Sequence, residues 1–188
     1  SGRSDRTDPS TYTLEQNVDD LEALRKYLGL EKIVVLGQSY GGRVAMRYAI
    51  KYPDSLKGLI LITTSPNYRS HDDAEQILKE RGTPEQIKMG EVLFNGAFES
   101  DEQLLHFFKL FASLYSYKFN PDDPKAVKAI EEGFERVNYS YKAINKGFGP
   151  AVPKGFDLTP DLPKINVPTL VIGAKHDWIT PPHHLQVI

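Results

Sequence analysis

The sequence predicts an α/β protein in which residues 1–65 and 157–188 form a partial parallel sheet with flanking helices and residues 66–156 form an all-helical insertion. Three observations carry that expectation. Short apolar runs at 33–36, 58–63 and 169–173 are hydrophobic on both faces, the mark of parallel strands covered by helices on both sides. A helix-period segment separates the first two runs, the order of a right-handed parallel crossover. Between Pro66 and about Gly155 no buried strand can be read, and all nine phenylalanines lie between Phe94 and Phe156.

Composition narrows the function classes. A chain of 188 residues can bury a sizeable core and carry an insertion. With 40% hydrophobic and 26% charged residues it is an ordinary globular sequence. A net charge of -2 gives no electrostatic case for nucleic acid or an anionic membrane surface, and no apolar run is long enough to span a bilayer. The absence of cysteine excludes disulfides, thiolate metal sites and a cysteine nucleophile. A cytoplasmic location is the expectation, although the chain opens at Ser1 without a methionine and a signal peptide could precede it.

Residues 1–10 are polar and read as a loop. Thr13 has the character of an N-cap, with Gln16 completing a capping box. Leu14, Val18, Leu21, Leu24 and Leu28 then fall at steps of three and four, one buried helix face closed by Gly29. Glu15, Asp19, Asp20 and Glu22 read as a solvated face of that helix. The first strand runs straight into Gly37-Gln38-Ser39-Tyr40-Gly41, and Val44, Ala45, Tyr48 and Ala49 follow at helical spacing until Pro53. In the insertion, residues 104–115 make one strongly apolar helix and 126–137 another. Most of its aromatic residues should form its own core, with a few lining an apolar substrate pocket. The third strand ends in Ala174-Lys175-His176-Asp177, at the carboxyl edge where chemistry collects in open parallel sheets.

A strand, a tight turn of small residues with a serine at its apex, and a helix make a Gly-x-Ser-x-Gly nucleophile elbow with Ser39 as nucleophile. A side chain at position 37 or 41 is expected to press on the neighbouring helix or strand. A serine hydroxyl needs a histidine to take its proton and a carboxylate to orient that histidine. Chain order Ser, acid, His gives Asp177 the second place. No histidine fits the third: His176 adjoins Asp177, His183 and His184 follow it by six and seven residues, and His71 and His106 lie in the insertion. A metal reading of His176, Asp177, His183 and His184 fits by residue type but lacks a helical i, i+4 pair. The backbone N–H of Tyr40 supplies one oxyanion donor, and the second should come from an earlier strand.

At these residues the chain resembles an α/β-hydrolase, and most closely the proline iminopeptidase branch. Gly2-Arg3-Ser4 resembles the end of that branch's Asp-x-Arg-Gly-x-Gly-x-Ser segment. The helix at 12–28, Gly37-Gln38-Ser39-Tyr40-Gly41-Gly42 and the stretch from Ala49 through Tyr52-Pro53 to Leu59 match, as do a cap segment from Asn95 to Ser116 and the acid-bearing strand from Val167 to Asp177 with Thr180-Pro181. The resemblance implies catalysis through an acyl-enzyme by Ser39 and Asp177, with Tyr40 N–H in the oxyanion hole and no metal or organic cofactor. It implies that the catalytic histidine and the second oxyanion segment lie outside these 188 residues. For substrate binding it points to the cap, with Phe107, Phe111 and Tyr115, and with Glu131, Glu132 and Glu135 by location only. Lys146 to Phe156 lacks the glutamate that peptidases of this branch often carry there.

Three functions follow as expectations: release of N-terminal proline from small peptides, hydrolysis of acyl esters or lactones, or an inert truncated module binding a hydrophobic ligand or partner. Apolar edge strands left unpaired should aggregate, so further strands from the same or another chain are expected to complete the sheet.

Overall fold

The computed structural model describes residues 4–149 and 154–188. Gly2 and Arg3, and residues 150–153 of the Lys146 to Phe156 stretch, lie outside the described residues. Internal contacts divide the chain into a sheet unit, Tyr12–Ala74 with Pro153–Ile188, and a helical unit, Ser1–Thr11 with Glu75–Val152.

The sheet unit opens with helix α1, Leu14–Tyr27. Thr13 caps it, accepting the Gln16 N–H at 3.1 Å, while the Gln16 carboxamide turns outward to Asp20 instead of closing the box. Gly29, at φ +65, ends the helix by aiming its N–H at Lys26 O and the Leu30 N–H at Arg25 O, a left-handed turn that glycine makes without a Cβ clash. Strand β1 (Ile33–Gln38), helix α2 (Tyr40–Lys51) and strand β2 (Leu56–Ile62) follow, and strand β3 (Thr169–Ile172) comes much later. The described strands run parallel in the order β1-β2-β3. Gln38 pairs with Ile62 and Ile62 with Ile172, so all three end level at the carboxyl edge.

One face of this sheet forms the core. Val35, Leu59 and Leu61 pack with Val18 of α1 and with Ala45, Met46, Tyr48 and Ala49 of α2. The expectation that helices cover both faces is not met among the described residues, because α1 and α2 both pack on this one. On the opposite face Val34, Leu36 and Leu170 are 58%, 59% and 55% exposed. The predicted α1 stripe is corrected in the same way: Val18 is buried, but Leu24 and Leu28 are exposed.

The acidic residues of α1 also differ from expectation. Glu15 accepts from Arg47 Nε (2.7 Å), and Asp19 accepts from the Tyr52 hydroxyl (2.8 Å) and from Lys51, which ties α1 to α2. Glu22 is buried. It takes a two-pronged contact from Arg25 (2.8 Å each) and the Tyr48 hydroxyl at 2.8 Å. The Arg25 guanidinium, against the opposing effect of burial, holds the Glu22 carboxyl down at about 2.

After β2 the chain leaves the sheet and returns to it at adjacent points. Asn67 bridges Asp157, Tyr68 N–H donates to Phe156 O (2.9 Å) and Leu158 N–H to Pro66 O (2.8 Å). Between these ends run α3 (Arg69–Arg81), α4 (Pro84–Phe94), α5 (Asp101–Leu110), α6 (Ala112–Tyr115), α7 (Pro124–Val137) and α8 (Tyr141–Phe148). The single apolar helix expected over 104–115 is broken at Phe111, which caps α5 and opens α6. The helical unit buries Leu93, Phe98, Leu104, Phe107 and Phe111, with the Phe107 and Phe111 rings 4.3 Å apart. Arg6 fastens the N-terminal segment to the α7–α8 turn through Asn138 Oδ1 (2.8 Å) and Tyr139 O (3.1 Å). No helix among the described residues is long and apolar enough to cross a membrane.

A buried carboxylate serving Arg25, Tyr48 and Lys26 should matter to folding. Glu22→Gln is expected to lower unfolding stability at pH 7 by about 1–3 kcal/mol, read from urea midpoints by circular dichroism. Because the folded value of about 2 lies below the unfolded 4.5, the stabilisation is complete above pH 4.5. It is lost as pH falls toward 2, so the two proteins should converge there.

Candidate active site

Ser39 occupies the turn between β1 and α2 with φ 52 and ψ -123, a conformation costly to any residue with a Cβ. Its N–H donates to Ile62 O at 3.0 Å, and its carbonyl accepts from the Thr64 hydroxyl (2.7 Å) and the Gly42 N–H (2.9 Å). The turn is held from both sides. A Cβ at Gly37 would fall 2.3 Å from Gly41 O, and one at Gly42 would fall 2.4 Å from Thr64 Oγ1. The expected constraint at Gly41 is absent, since a Cβ there meets nothing within 4 Å. Close approach therefore falls at Gly37 and Gly42. Ser39 itself is half-buried, and the Tyr40 and Gly41 amides open α2, where a helix leaves its N–H groups without intrahelical acceptors. The Tyr40 ring is fixed by Asn17 of α1, whose Nδ2 donates to the hydroxyl at 3.0 Å.

Asp177 lies five residues past the end of β3. Two strand spacings, about 10 Å, separate that strand end from the end of β1 that carries Ser39. The Asp177 carboxylate is fixed by its own turn: Oδ1 accepts the Ile179 and Thr180 N–H groups (3.0 Å each), and Oδ2 accepts the Thr180 hydroxyl (2.7 Å). The structure thus brings Ser39 and Asp177 to one edge of one sheet.

The histidines fall elsewhere. His176 is exposed beside Asp177, and His106 lies 3.6 Å from Glu85 in the helical unit. His71 is buried, with its ring 4.8 Å from that of Tyr68, and burial together with the charge of Arg43 pushes it down to about 4. Helix α9 (Pro182–Leu185) carries His183 and His184, and both rings contact Asp73 of α3.

In the helical unit, Phe107 and Phe111 are interior, whereas Tyr115 lines a cavity of about 350 Å³ with Phe108, Phe119, Phe134 and Tyr139. Glu131 pairs with Lys109, and Glu132 with Lys128 at 3.2 Å. Glu135 is exposed near the end of α7.

Sequence reasoning missed two features. Arg43 is buried one turn into α2, with its guanidinium 3.2 Å from Ser70 Oγ and 5.3 Å above the Phe156 ring, and burial lowers its pKa to about 10. Asp73 joins His183 and His184 across more than a hundred residues, a separation at which no local pattern signals the contact.

A family model described as the alpha/beta hydrolase fold matches residues 1–188. The chain is 35% identical over 192 residues to the proline iminopeptidase PfmaB of Pestalotiopsis fici, covering 100% of this chain and 65% of that protein. It is also 35% identical to a proline iminopeptidase of Saccharolobus solfataricus, covering 95% and 59%. The structure of an alpha/beta fold family hydrolase from Bacillus anthracis superposes with a TM-score of 0.72 at 21% identity, over 99% of this chain and 66% of the other. The chain therefore spans about three fifths of the length of the curated relatives it matches.

The turn geometry separates the three glycines. Gly37→Ala and Gly42→Ala are each expected to destabilise by about 1–3 kcal/mol through overpacking. Gly41→Ala should be neutral, or stabilising by up to about 1 kcal/mol, because alanine favours the helix. Denaturant midpoints of the three variants check the ranking.

Proposed function

The chain belongs to the α/β-hydrolase family and is similar to proline iminopeptidases, and from that premise we propose that it carries the nucleophile and acid of a serine hydrolase that releases N-terminal proline from small peptides. The observation that carries the reading is the strained Ser39, held at φ 52 on a strand-to-helix turn with the α2 amides beside it. Strain of this kind persists only where the surrounding structure enforces it, and Gly37, Gly42 and Thr64 supply the enforcement.

In this reading Ser39 Oγ attacks the prolyl carbonyl while a histidine takes its proton. The Tyr40 N–H stabilises the developing oxyanion, and the C–N bond breaks as the histidine returns the proton to the leaving amine. Water then cleaves the acyl-enzyme by the same route. Asp177, already fixed by the Ile179 and Thr180 amides, orients the histidine and stabilises its charged form. That histidine and the second oxyanion donor are assigned to sequence beyond these 188 residues. The greater length of the relatives leaves room for both.

Further strands or helices are likewise assigned to the apolar sheet face bearing Val34, Leu36 and Leu170. The cap supplies substrate contacts. Tyr115 borders the aromatic cavity, and Glu135 offers a carboxylate for the free amino group, a role that Glu131 and Glu132 share only by leaving their lysines.

The test is a fluorophosphonate probe on the full-length protein, read by intact mass and peptide mapping. One adduct on Ser39 and a loss of turnover on the order of 10⁶-fold in Ser39→Ala are expected. Labelling that persists in Ser39→Ala removes the nucleophile assignment. Prolyl arylamides should be turned over and their N-acetylated forms refused. Equal turnover of short acyl esters and blocked substrates would instead place the protein among esterases.

A further inference from the structure

A second cluster of side chains forms where α3 meets α9. Nε2 of His183 and Nε2 of His184 each lie 2.7 Å from the same oxygen, Asp73 Oδ2. The three donor atoms all lie within 4.8 Å of one another. Adjacent residues on a helix point about 100° apart and do not normally meet. Here the two rings are folded together, with centroids 4.2 Å apart at 40°, so that both Nε2 atoms converge on one point. His184 is buried, whereas His183 is exposed and opens the cluster to solvent.

We propose that Asp73, His183 and His184 form a binding site for a divalent metal of the zinc class, built from side chains other than Ser39 and Asp177. The donor set decides the ligand. Two imidazoles and one carboxylate suit Zn²⁺, Co²⁺ or Ni²⁺, whereas Mg²⁺ and Ca²⁺ prefer a shell of oxygens.

The dimensions are close to those required. With metal–ligand bonds of about 2.0–2.1 Å, tetrahedral ligand atoms stand about 3.3 Å apart. The 2.7 Å contacts are hydrogen bonds drawn between the same atoms, so metal entry replaces the shared protons and spreads each contact by about 0.6 Å. Small rotations of the side chains, one of them exposed, accomplish that.

Charge sets the fourth position. One carboxylate and two neutral imidazoles leave a bound dication with a net positive charge. The buried Arg43 cation, whose field reaches His184, adds to it. An open fourth site is therefore expected to take a water or an anion rather than another neutral side chain. The set differs from the one the sequence suggested: His176 and Asp177 drop out, and Asp73 enters from α3.

The experiment is zinc titration of the tag-free, chelator-stripped full chain by isothermal titration calorimetry, with Co²⁺ visible absorption as a second probe of coordination. One equivalent of zinc should bind, and Co²⁺ should show a tetrahedral spectrum. His183→Ala and Asp73→Asn should each weaken binding at least about 100-fold, and His176→Ala should leave it unchanged. Should Asp73→Asn misfold by circular dichroism, the exposed His183 decides. Absence of saturable one-to-one binding in the wild type overturns the proposal, as does binding that survives His183→Ala or disappears in His176→Ala.

Discussion

The close approach of β1, α2 and the end of β2 around Ser39 is the constraint on which the rest of the sheet unit depends. Gly37 and Gly42 leave no room for a Cβ, and Thr64 reaches back to bond the serine carbonyl. That contact fixes where α2 starts, and α2 in turn supplies the apolar residues that bury Val35, Leu59 and Leu61. The same turn brings the Gly42 N–H to the serine carbonyl. A side chain added at Gly37 or Gly42 would therefore disturb the core and the Ser39 turn together. Local backbone strain at Ser39 is tolerated because three separate elements over-determine it.

What the sequence revealed was local. The three strands, the elbow and the Gly29 helix stop were legible because each is written in consecutive residues with a fixed period or a fixed turn chemistry. The break at Phe111 was not, because the apolar pattern of α5 and α6 is continuous while the backbone is not. Burial of Glu22 was missed for a related reason. Periodicity places it near a charged face, yet Tyr48 and Arg25 supply enough donors to take its carboxylate out of water. Asp73 illustrates the limit most directly, since its partners are fixed only after β3 and α9 return to the sheet unit.

The uncovered sheet face carries a second lesson. Runs such as Ile33–Leu36 and Thr169–Ile172 encode covering on two sides, but among the described residues α1 and α2 cover only one. Hydrophobicity in a strand therefore records the environment the strand requires, whether or not the covering residues are described beside it. Within α1, Val18 is buried with the core residues of α2, whereas Leu24 and Leu28 are exposed.

Selectivity between an amide after proline and a simple ester depends on recognising an ammonium group, since the attack on the carbonyl is common to both. A carboxylate already paired with a lysine contributes little new attraction to a second cation at an exposed site. Glu131 and Glu132 are paired in this way within the helical unit. Glu135 lies one turn further along α7, and no ion pair involves it among the described residues. Asn67 and Asp157 bridge the outgoing and returning chain within the sheet unit. On the proposed function, side chains of the insertion such as Glu135 carry the choice between substrates, and the turn between β1 and α2 carries the acyl transfer.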